Sequence, residues 1–175
     1  HDSGDAVAHY TNDEVPFTVG DKVTLELDWT FRFTNMQRHY GEHILSGAIY
    51  KLYKGANKGF HMGQNYITID IDLDGKLMKE EMLEASEDLA NEAVWANLPI
   101  QAHKFASVEA ANDMPLRKAV NEKVDGNVVI VTVGNPDDPF DCCACCGTYP
   151  AFSGEVGVIK IFKAEPNKGM TRIYF

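Results

Sequence analysis

Several features of other protein classes are missing from this sequence of 175 residues. No apolar run approaches the roughly 18 residues that a membrane-spanning helix requires, and the first residues show no signal-peptide pattern. Internal repeats and low-complexity segments are also absent. These absences exclude a helical membrane protein and a repeat array, and we expect no membrane partner. The length suits a single domain with its own apolar core.

Cysteine is absent everywhere except between residues 142 and 146, where all four cysteines lie. A disulfide framework spreads its cysteines along the chain, so the clustering excludes one. It suits a reducing compartment, for which we expect the cytoplasm, and either metal or thiol chemistry. Four thiolates within five residues cannot surround one ion, so a metal site would need ligands from elsewhere. Alternatively, the thiols are buried or incidental.

Positive charge is scarce: 16 lysines and arginines face 26 acidic residues, for a net charge of -10. This balance argues against a protein that coats nucleic acid, and we expect no DNA partner. The charges are nevertheless segregated. Residues 79–92 carry six acids and one lysine, whereas residues 160–172 carry four basic side chains and one acid. This distribution suits either a local basic edge on an acidic body or two unrelated solvated faces.

Hydrophobic periodicity predicts an α+β fold. Helical spacing predicts two long helices at 36–54 and 77–97, and a short one at 107–112. Alternating or continuous apolar runs predict strands at 23–30, 66–73, 100–105, 127–134, 155–163 and 171–175, with "GFHMG" (59–63) as a loop. Because helices and strands do not alternate regularly, we expect a mainly antiparallel sheet packed with the two long helices.

The two ends of the sequence resemble the interior of a longer polypeptide. It opens on His1 and closes on a strand-like "TRIYF". We therefore predict that residues 1–30 are the end of a truncated N-terminal β region and that residues 31–175 form the α+β domain.

Two histidines share one helical face. His39 and His43 are four residues apart in the first predicted helix, so their imidazoles point the same way. That spacing can offer two nitrogen ligands to zinc, although surface or core histidine pairs have the same spacing. Gly47, one turn further along, leaves space beside His43. A cysteine from residues 142–146 would complete a three-ligand site with an open position, as in catalytic zinc centres.

Two motifs carry a family resemblance. The stretch "MQRHYGEHILSG" (36–47) resembles "MQQHSGEHIVSG" of the free-standing alanyl-tRNA editing proteins, and "CACCGTYPAFSGEVGVIK" (143–160) resembles their second motif, "CACCGTHV...TGEIGLIK". The stretches "GFHMG", "NEAVWANLPI" and "KGMTRI" also resemble that group, in the same order. The group is related to the editing domains of alanyl- and threonyl-tRNA synthetases. The resemblance covers nearly the whole chain.

The resemblance implies an editing-domain fold and zinc-dependent hydrolysis of the ester in mischarged tRNA, typically seryl-tRNA for alanine. By position it implies His39, His43 and Cys145 as zinc ligands, with Tyr149 where the family has its last histidine. Lys168 and Arg172 fall on a stretch that the family keeps near its tRNA-facing surface. Glu42 would assist proton transfer or orient the histidines.

Two substitutions depart from the family pattern. A tyrosine phenol is a poorer zinc ligand than imidazole, so Tyr149 implies three protein ligands plus water, a substitute ligand, or a weak or empty site. His61 is the candidate substitute, or an ordinary loop histidine. Tyr40 stands where the family has a small hydroxyl residue that contacts the substrate, so we expect it to crowd the pocket and change selectivity. The two changes could compensate each other, or mark a lost activity.

Two other functions are compatible with parts of the sequence. "HYGEH" (39–43) matches the inverted H-x-x-E-H pattern of zinc peptidases, with Glu42 as general base and Glu109 or Glu122 as third ligand. That interpretation leaves the cysteine motif unexplained. The second alternative is a catalytically lost editing fold that binds tRNA or a partner protein without metal.

Overall fold

A computed structural model describes residues 9–11, 14–120 and 127–175 of the chain. Its long helices are α1 (Trp29–Tyr53) and α2 (Glu80–Trp95), and its short ones are α3 (Val108–Ala111) and a 3-10 helix (Ser153–Val156). The strands are β1 (Ala56–Met62), β2 (Ile67–Asp72), β3 (Ile100–Phe105), β4 (Val128–Val133), β5 (Asp141–Ala144), β6 (Lys163–Asn167) and β7 (Met170–Tyr174). No described helix combines the length and apolar character needed to cross a membrane.

The strands form two antiparallel sheets rather than the single one expected. One sheet has the order β1-β2-β7-β6 and the other the order β3-β4-β5. The main core lies between the first sheet and the helices α1 and α2, where the isoleucines of β2 meet Ile44 and Ile49. The predicted α+β class, with antiparallel pairing and two long helices, is confirmed.

The predicted strand at 23–30 is wrong. Residues 21–28 form no strand, and α1 begins at Trp29, seven residues before the predicted start. The apolar residues of this segment are exposed; Leu25, for example, is 79% exposed. Asp28 caps α1 instead, because its carboxylate accepts a hydrogen bond of 2.9 Å from the Phe31 amide. The assignment of residues 1–30 to a separate β region stays a prediction, and residues 1–8, 12 and 13 lie outside the described part.

Two further predictions are corrected by long-range pairing. "GFHMG" is mostly strand, because β1 pairs with β2 as far as Met62. The predicted strand 155–163 is replaced by the 3-10 helix and a segment outside the sheets. There the amides of Ile159 and Ile161 donate to the side chains of Asn91 and Glu87 on α2, and not to a neighbouring strand.

Candidate metal centre

Helix α1 presents His39 and His43 side by side, as their spacing predicts. The ring centroids lie 4.9 Å apart, with His43 buried and His39 half-buried. The Nδ1 atom of His39 lies 3.4 Å from the Thr148 carbonyl oxygen. When Nδ1 carries the proton and donates to this oxygen, Nε2 is left with a free lone pair.

Strand β5 and the loop after it separate the four cysteines by environment. Cys142 packs into a small apolar cluster under α3, whereas Cys143 and Cys145 line the cavity beside the histidines. Cys146 is exposed. Burial raises the pKa of the Cys142 thiol to about 12, so it stays protonated at neutral pH. Alternation along the strand therefore leaves two of the four thiols available to the site.

The three predicted ligands converge. The donor atoms of His39, His43 and Cys145 all lie within 4.8 Å of one another, and His39 Nε2 is 3.6 Å from Cys145 Sγ. This approach depends on Gly147, because a Cβ there would lie 2.4 Å from Cε1 of His39. The glycine of the cysteine loop thus lets the backbone pass directly against the imidazole.

The chemistry of this donor set fits zinc. Burial alone would raise the pKa of the Cys145 thiol, but hydrogen bonds with His39 and His43 outweigh it and lower the pKa to about 6. Cys145 is therefore largely a thiolate at neutral pH, which is the form that binds metals. Two imidazoles and one thiolate match the ligands of a catalytic zinc site with an open fourth position.

A buried ionic cluster contacts His43 at its Nδ1 atom. Its Nδ1 lies 3.0 Å from Asp141 Oδ2, and the other oxygen of Asp141 accepts a hydrogen bond of 2.6 Å from Arg117 Nε. Asp141 reaches this position beside Gly47, where a Cβ would lie only 3.0 Å from the Asp141 Cβ. The space that Gly47 leaves is filled by this carboxylate. We call His43, Glu42, Asp141 and Arg117 the Asp141 cluster.

Contacts within the Asp141 cluster shift the pKa values of Asp141 and His43 in the directions that favour their charged forms. Burial alone would raise the pKa of Asp141, but the Arg117 guanidinium and His43 outweigh it and lower the pKa below the ordinary value. Burial likewise opposes a charged His43, yet Cys143, Asp141 and Cys145 together raise its pKa well above the ordinary value. The Sγ atom of Cys143 lies 3.4 Å from the same Nδ1 atom of His43. The Asp141 carboxylate and the Cys143 thiol thus both lie beside the same ring nitrogen of His43.

Glu42 is held rigidly beside the histidines. Its Oε1 accepts hydrogen bonds of 2.8 Å from Ser46 Oγ and 2.7 Å from Asn57 Nδ2. Its Oε2 lies 3.9 Å from His43 Nε2. The carboxylate is therefore fixed by one oxygen, while the other faces the ring nitrogen that Asp141 does not use.

The predicted zinc ligands and Glu42 line one cavity of about 610 Å³. Its walls include His39, His43, Glu42 and Cys145, and its rim carries the exposed residues Lys58 and Lys118. The Phe60 ring lies 6.1 Å from the His39 ring and forms part of the same wall.

The two tyrosines that depart from the family pattern lie behind the histidines. Tyr40 is fully buried and stacks on His43 at 4.6 Å between ring centroids, and it is not among the residues that line the cavity. Its hydroxyl has no hydrogen-bond partner among the described residues. Tyr149 is half-buried against Tyr40 at 5.5 Å. The predicted roles of both in selectivity and metal binding stay predictions.

Three predicted residues lie apart from this centre. His61 is exposed in β1, whose alternation turns Phe60 toward the cavity instead, and His61 joins no metal-type group of the described residues. Lys168 is exposed in the turn between β6 and β7. Arg172 forms a two-pronged ion pair with Asp70, with both N–O distances 2.8 Å. The predicted tRNA contacts of Lys168 and Arg172 stay predictions.

The peptidase alternative finds no glutamate as third ligand among the described residues. Glu109 is exposed on α3 and is not grouped with the histidines, and Glu122 lies outside the described part of the chain. Glu42 and the histidine pair alone do not make such a site.

Sequence reasoning missed Asp141 and Arg117. Asp141 directly precedes the cysteine cluster, so its position was a usable signal. Arg117 lies 24 residues earlier, in a segment with no motif, and nothing in the sequence indicated its partner.

Comparisons with known proteins agree with the two motifs. Residues 128–174, which include β4 to β7, match the family described as the threonyl and alanyl tRNA synthetase second additional domain. The chain is 33% identical over 157 residues to the alanyl-tRNA editing protein AlaX-L of Pyrococcus horikoshii, covering 89% of this chain and 37% of that protein.

Two other relatives also match over most of this chain. The alanyl-tRNA editing protein Aarsd1-A of Xenopus laevis is 27% identical over 153 residues, covering 87% of this chain and 36% of that protein. The alanine–tRNA ligase of Pyrobaculum arsenaticum is 32% identical over 169 residues, covering 93% of this chain and 18% of the ligase. The chain thus spans little more than a third of the editing proteins it matches. These matches confirm the resemblance that the two motifs indicate.

Proposed function

Because the chain is a relative of the alanyl-tRNA editing proteins, we propose that it hydrolyses the ester bond of mischarged tRNA, with seryl-tRNA for alanine as the expected substrate. The convergence of His39, His43 and Cys145 on one cavity wall carries this proposal. We expect the reaction in the cytoplasm, because tRNA is charged there and the described cysteines are free thiols.

In this proposal His39, His43 and Cys145 hold a zinc ion, and Tyr149 is not a ligand but packs against Tyr40. Three protein ligands leave the fourth position open, as catalysis requires. A bound zinc would polarise the ester carbonyl or lower the pKa of a water molecule to about 7.

The chain's own residues supply orientation and proton transfer. Asp141 accepts a hydrogen bond from His43 Nδ1–H and so leaves Nε2 as the ligand atom. Glu42 is the general base, because Ser46 and Asn57 hold one oxygen and the other lies beside the histidine ring. Lys58 and Lys118 at the rim favour a substrate that carries phosphates.

The test is deacylation of seryl-tRNA for alanine, together with zinc content of protein purified without added metal. We expect one zinc per chain, and losses of about 100-fold or more in rate for His43→Ala and Cys145→Ala. Cys146→Ala is the matched control, since it removes an exposed neighbouring thiol and should keep zinc and rate. Full activity in both ligand variants would show that the proposed centre is not the catalytic one.

A tRNA-binding module without catalysis is the second candidate function, and Tyr149 in place of a histidine favours it. Zinc-free protein that binds tRNA but deacylates none of it would support this candidate over the hydrolase.

A further inference from the structure

A second cavity, of about 560 Å³, lies where the end of α1, the hairpin of β1 and β2, and the approach to α2 meet. Lysines dominate its charge. Its charged lining residues are Lys54, Lys58, Lys76, Lys79, Asp72 and Asp74. We call this the lysine groove. Four cations against two carboxylates make it locally positive on a chain whose net charge is -10.

The charges of these lysines are not used within the described structure. No ion pair of the described residues includes any of the four, and Lys54 Nζ lies only over the Tyr50 ring, at 4.8 Å from its centroid. Elsewhere, by contrast, Lys160 is paired with Glu87 and Arg172 with Asp70. All four lysines of the groove are exposed, so a ligand could reach them.

Lys58 connects the groove to the metal-centre cavity. The β1–β2 ladder shifts register between Asn57 and Gly59, which leaves Lys58 as the extra residue of a β-bulge. A bulge redirects the side chain of its extra residue, and bulges are frequent beside active sites. Lys58 consequently lines both cavities. The two cavities therefore adjoin at Lys58.

We propose that the lysine groove binds the phosphate backbone of the tRNA acceptor arm while the aminoacylated end lies in the metal-centre cavity. This proposal rests on the proposed function. Lysine ammonium groups bind phosphates as point charges, and a nucleic-acid backbone offers one phosphate per nucleotide along its path. An aminoacylated RNA has an ester at its end followed by a regular series of phosphates, which a small ester lacks. Its ester suits the metal-centre cavity, and its phosphates suit the adjoining lysine groove.

The groove also extends the tRNA surface predicted from the sequence. Thr171, near the start of β7, pairs with Ile71, near the end of β2. The β6–β7 turn, which carries Lys168, therefore lies at the same end of the sheet as Asp72 and Asp74, which line the groove. One RNA backbone can therefore contact both Lys168 and the groove. Arg172 is less available to RNA, because it is paired with Asp70.

The test measures binding of an uncharged acceptor-arm RNA hairpin by fluorescence anisotropy at several salt concentrations. We expect Lys58→Ala and Lys76→Ala each to weaken binding about fivefold to tenfold at 0.1 M salt, and to lower the slope of log K against log salt by about 1. Lys104→Ala is the matched control, because this exposed lysine of β3 lines neither cavity. It should leave affinity and slope unchanged. Unaltered urea midpoints in all three variants would establish that folding is intact.

Equal binding by the groove variants and the control would overturn the proposal. So would polyaspartate that displaces the hairpin as effectively as unlabelled RNA at equal charge, because the groove would then accept any polyanion.

The binding test is independent of catalysis. Weakened RNA binding with no deacylation by the wild type would support the groove and refute the proposed reaction. Deacylation by the wild type, with KM unchanged in both groove variants, would support the reaction and refute the groove. If both proposals hold, KM rises in both variants, and kcat stays close to the wild-type value in Lys76→Ala, because Lys76 lines the groove and not the metal-centre cavity.

Discussion

The Asp141 cluster and the lysine groove use charge in opposite ways. In the cluster the side chains of Asp141 and Arg117 are 0% and 8% exposed, and each charge has a partner of opposite sign. In the groove the lysines are exposed and no described ion pair includes them. Burial makes an unpaired charge very costly, whereas water solvates an exposed one at little cost. Paired charges therefore position the centre, and unpaired charges remain available to a ligand.

The largest expected effect comes from breaking the cluster with Arg117→Met. Two buried carboxylates, Asp141 and Glu42, would lose Arg117 and keep only His43 as a partner, and we expect the free energy of unfolding to fall by about 3 kcal/mol. Urea denaturation measures this change. Lys118→Met, at the exposed neighbouring residue, should change it by less than about 0.5 kcal/mol. Similar losses in both variants would contradict the contrast between buried and exposed cations.

An intermediate effect is expected for Asp141→Asn, which keeps the shape of the side chain and removes its charge. The hydrogen bond that orients His43 weakens, and zinc affinity should fall about 10–100-fold. Competition with a chromophoric chelator measures this affinity directly, without reference to activity. The control is Asp138→Asn, an exposed aspartate in the loop before β5. Unchanged affinity in Asp141→Asn would show that the cluster serves stability alone.

The smallest effect on stability is expected from breaking the ion pair of Asp70 and Arg172. Its side chains are 12% and 36% exposed, which is more than in the Asp141 cluster and less than in the lysine groove. Hydrogen bonds from Arg172 hold the pKa of Asp70 below its ordinary value. The folded protein therefore binds fewer protons here than the unfolded chain, so the pair stabilises the fold above the ordinary aspartate pKa of about 3.9. That contribution is lost as the pH falls through the lowered pKa.

Asp70→Asn should accordingly reduce the urea midpoint near pH 7, and the difference from the wild type should shrink below about pH 4. Asp74→Asn, in the exposed turn after β2, is the control and should show little difference at either pH. A difference that grows on acidification would mean that the sign assigned to Asp70 is wrong.

Parts of the fold were predictable because their signals are local. The strand at 100–105 was placed with its observed bounds, and those at 66–73 and 127–134 within one residue at each end. The strands at 23–30 and 155–163 were wrong, because alternation does not reveal whether a partner strand exists. Residues 23–28 lie outside the described ladders, and Ile159 and Ile161 bond to side chains of α2 instead.

By itself the sequence determined the spacing of His39 and His43 on one helical face and the presence of a thiol loop, since both depend only on neighbouring residues. Only the tertiary structure decided which thiols face the histidines, that Asp141 orients His43 across a separation of 98 residues, and that Lys58 joins two cavities through a bulge. The physical reason is that an ion pair, a burial state or a strand register belongs to two segments at once. Neither segment alone contains it.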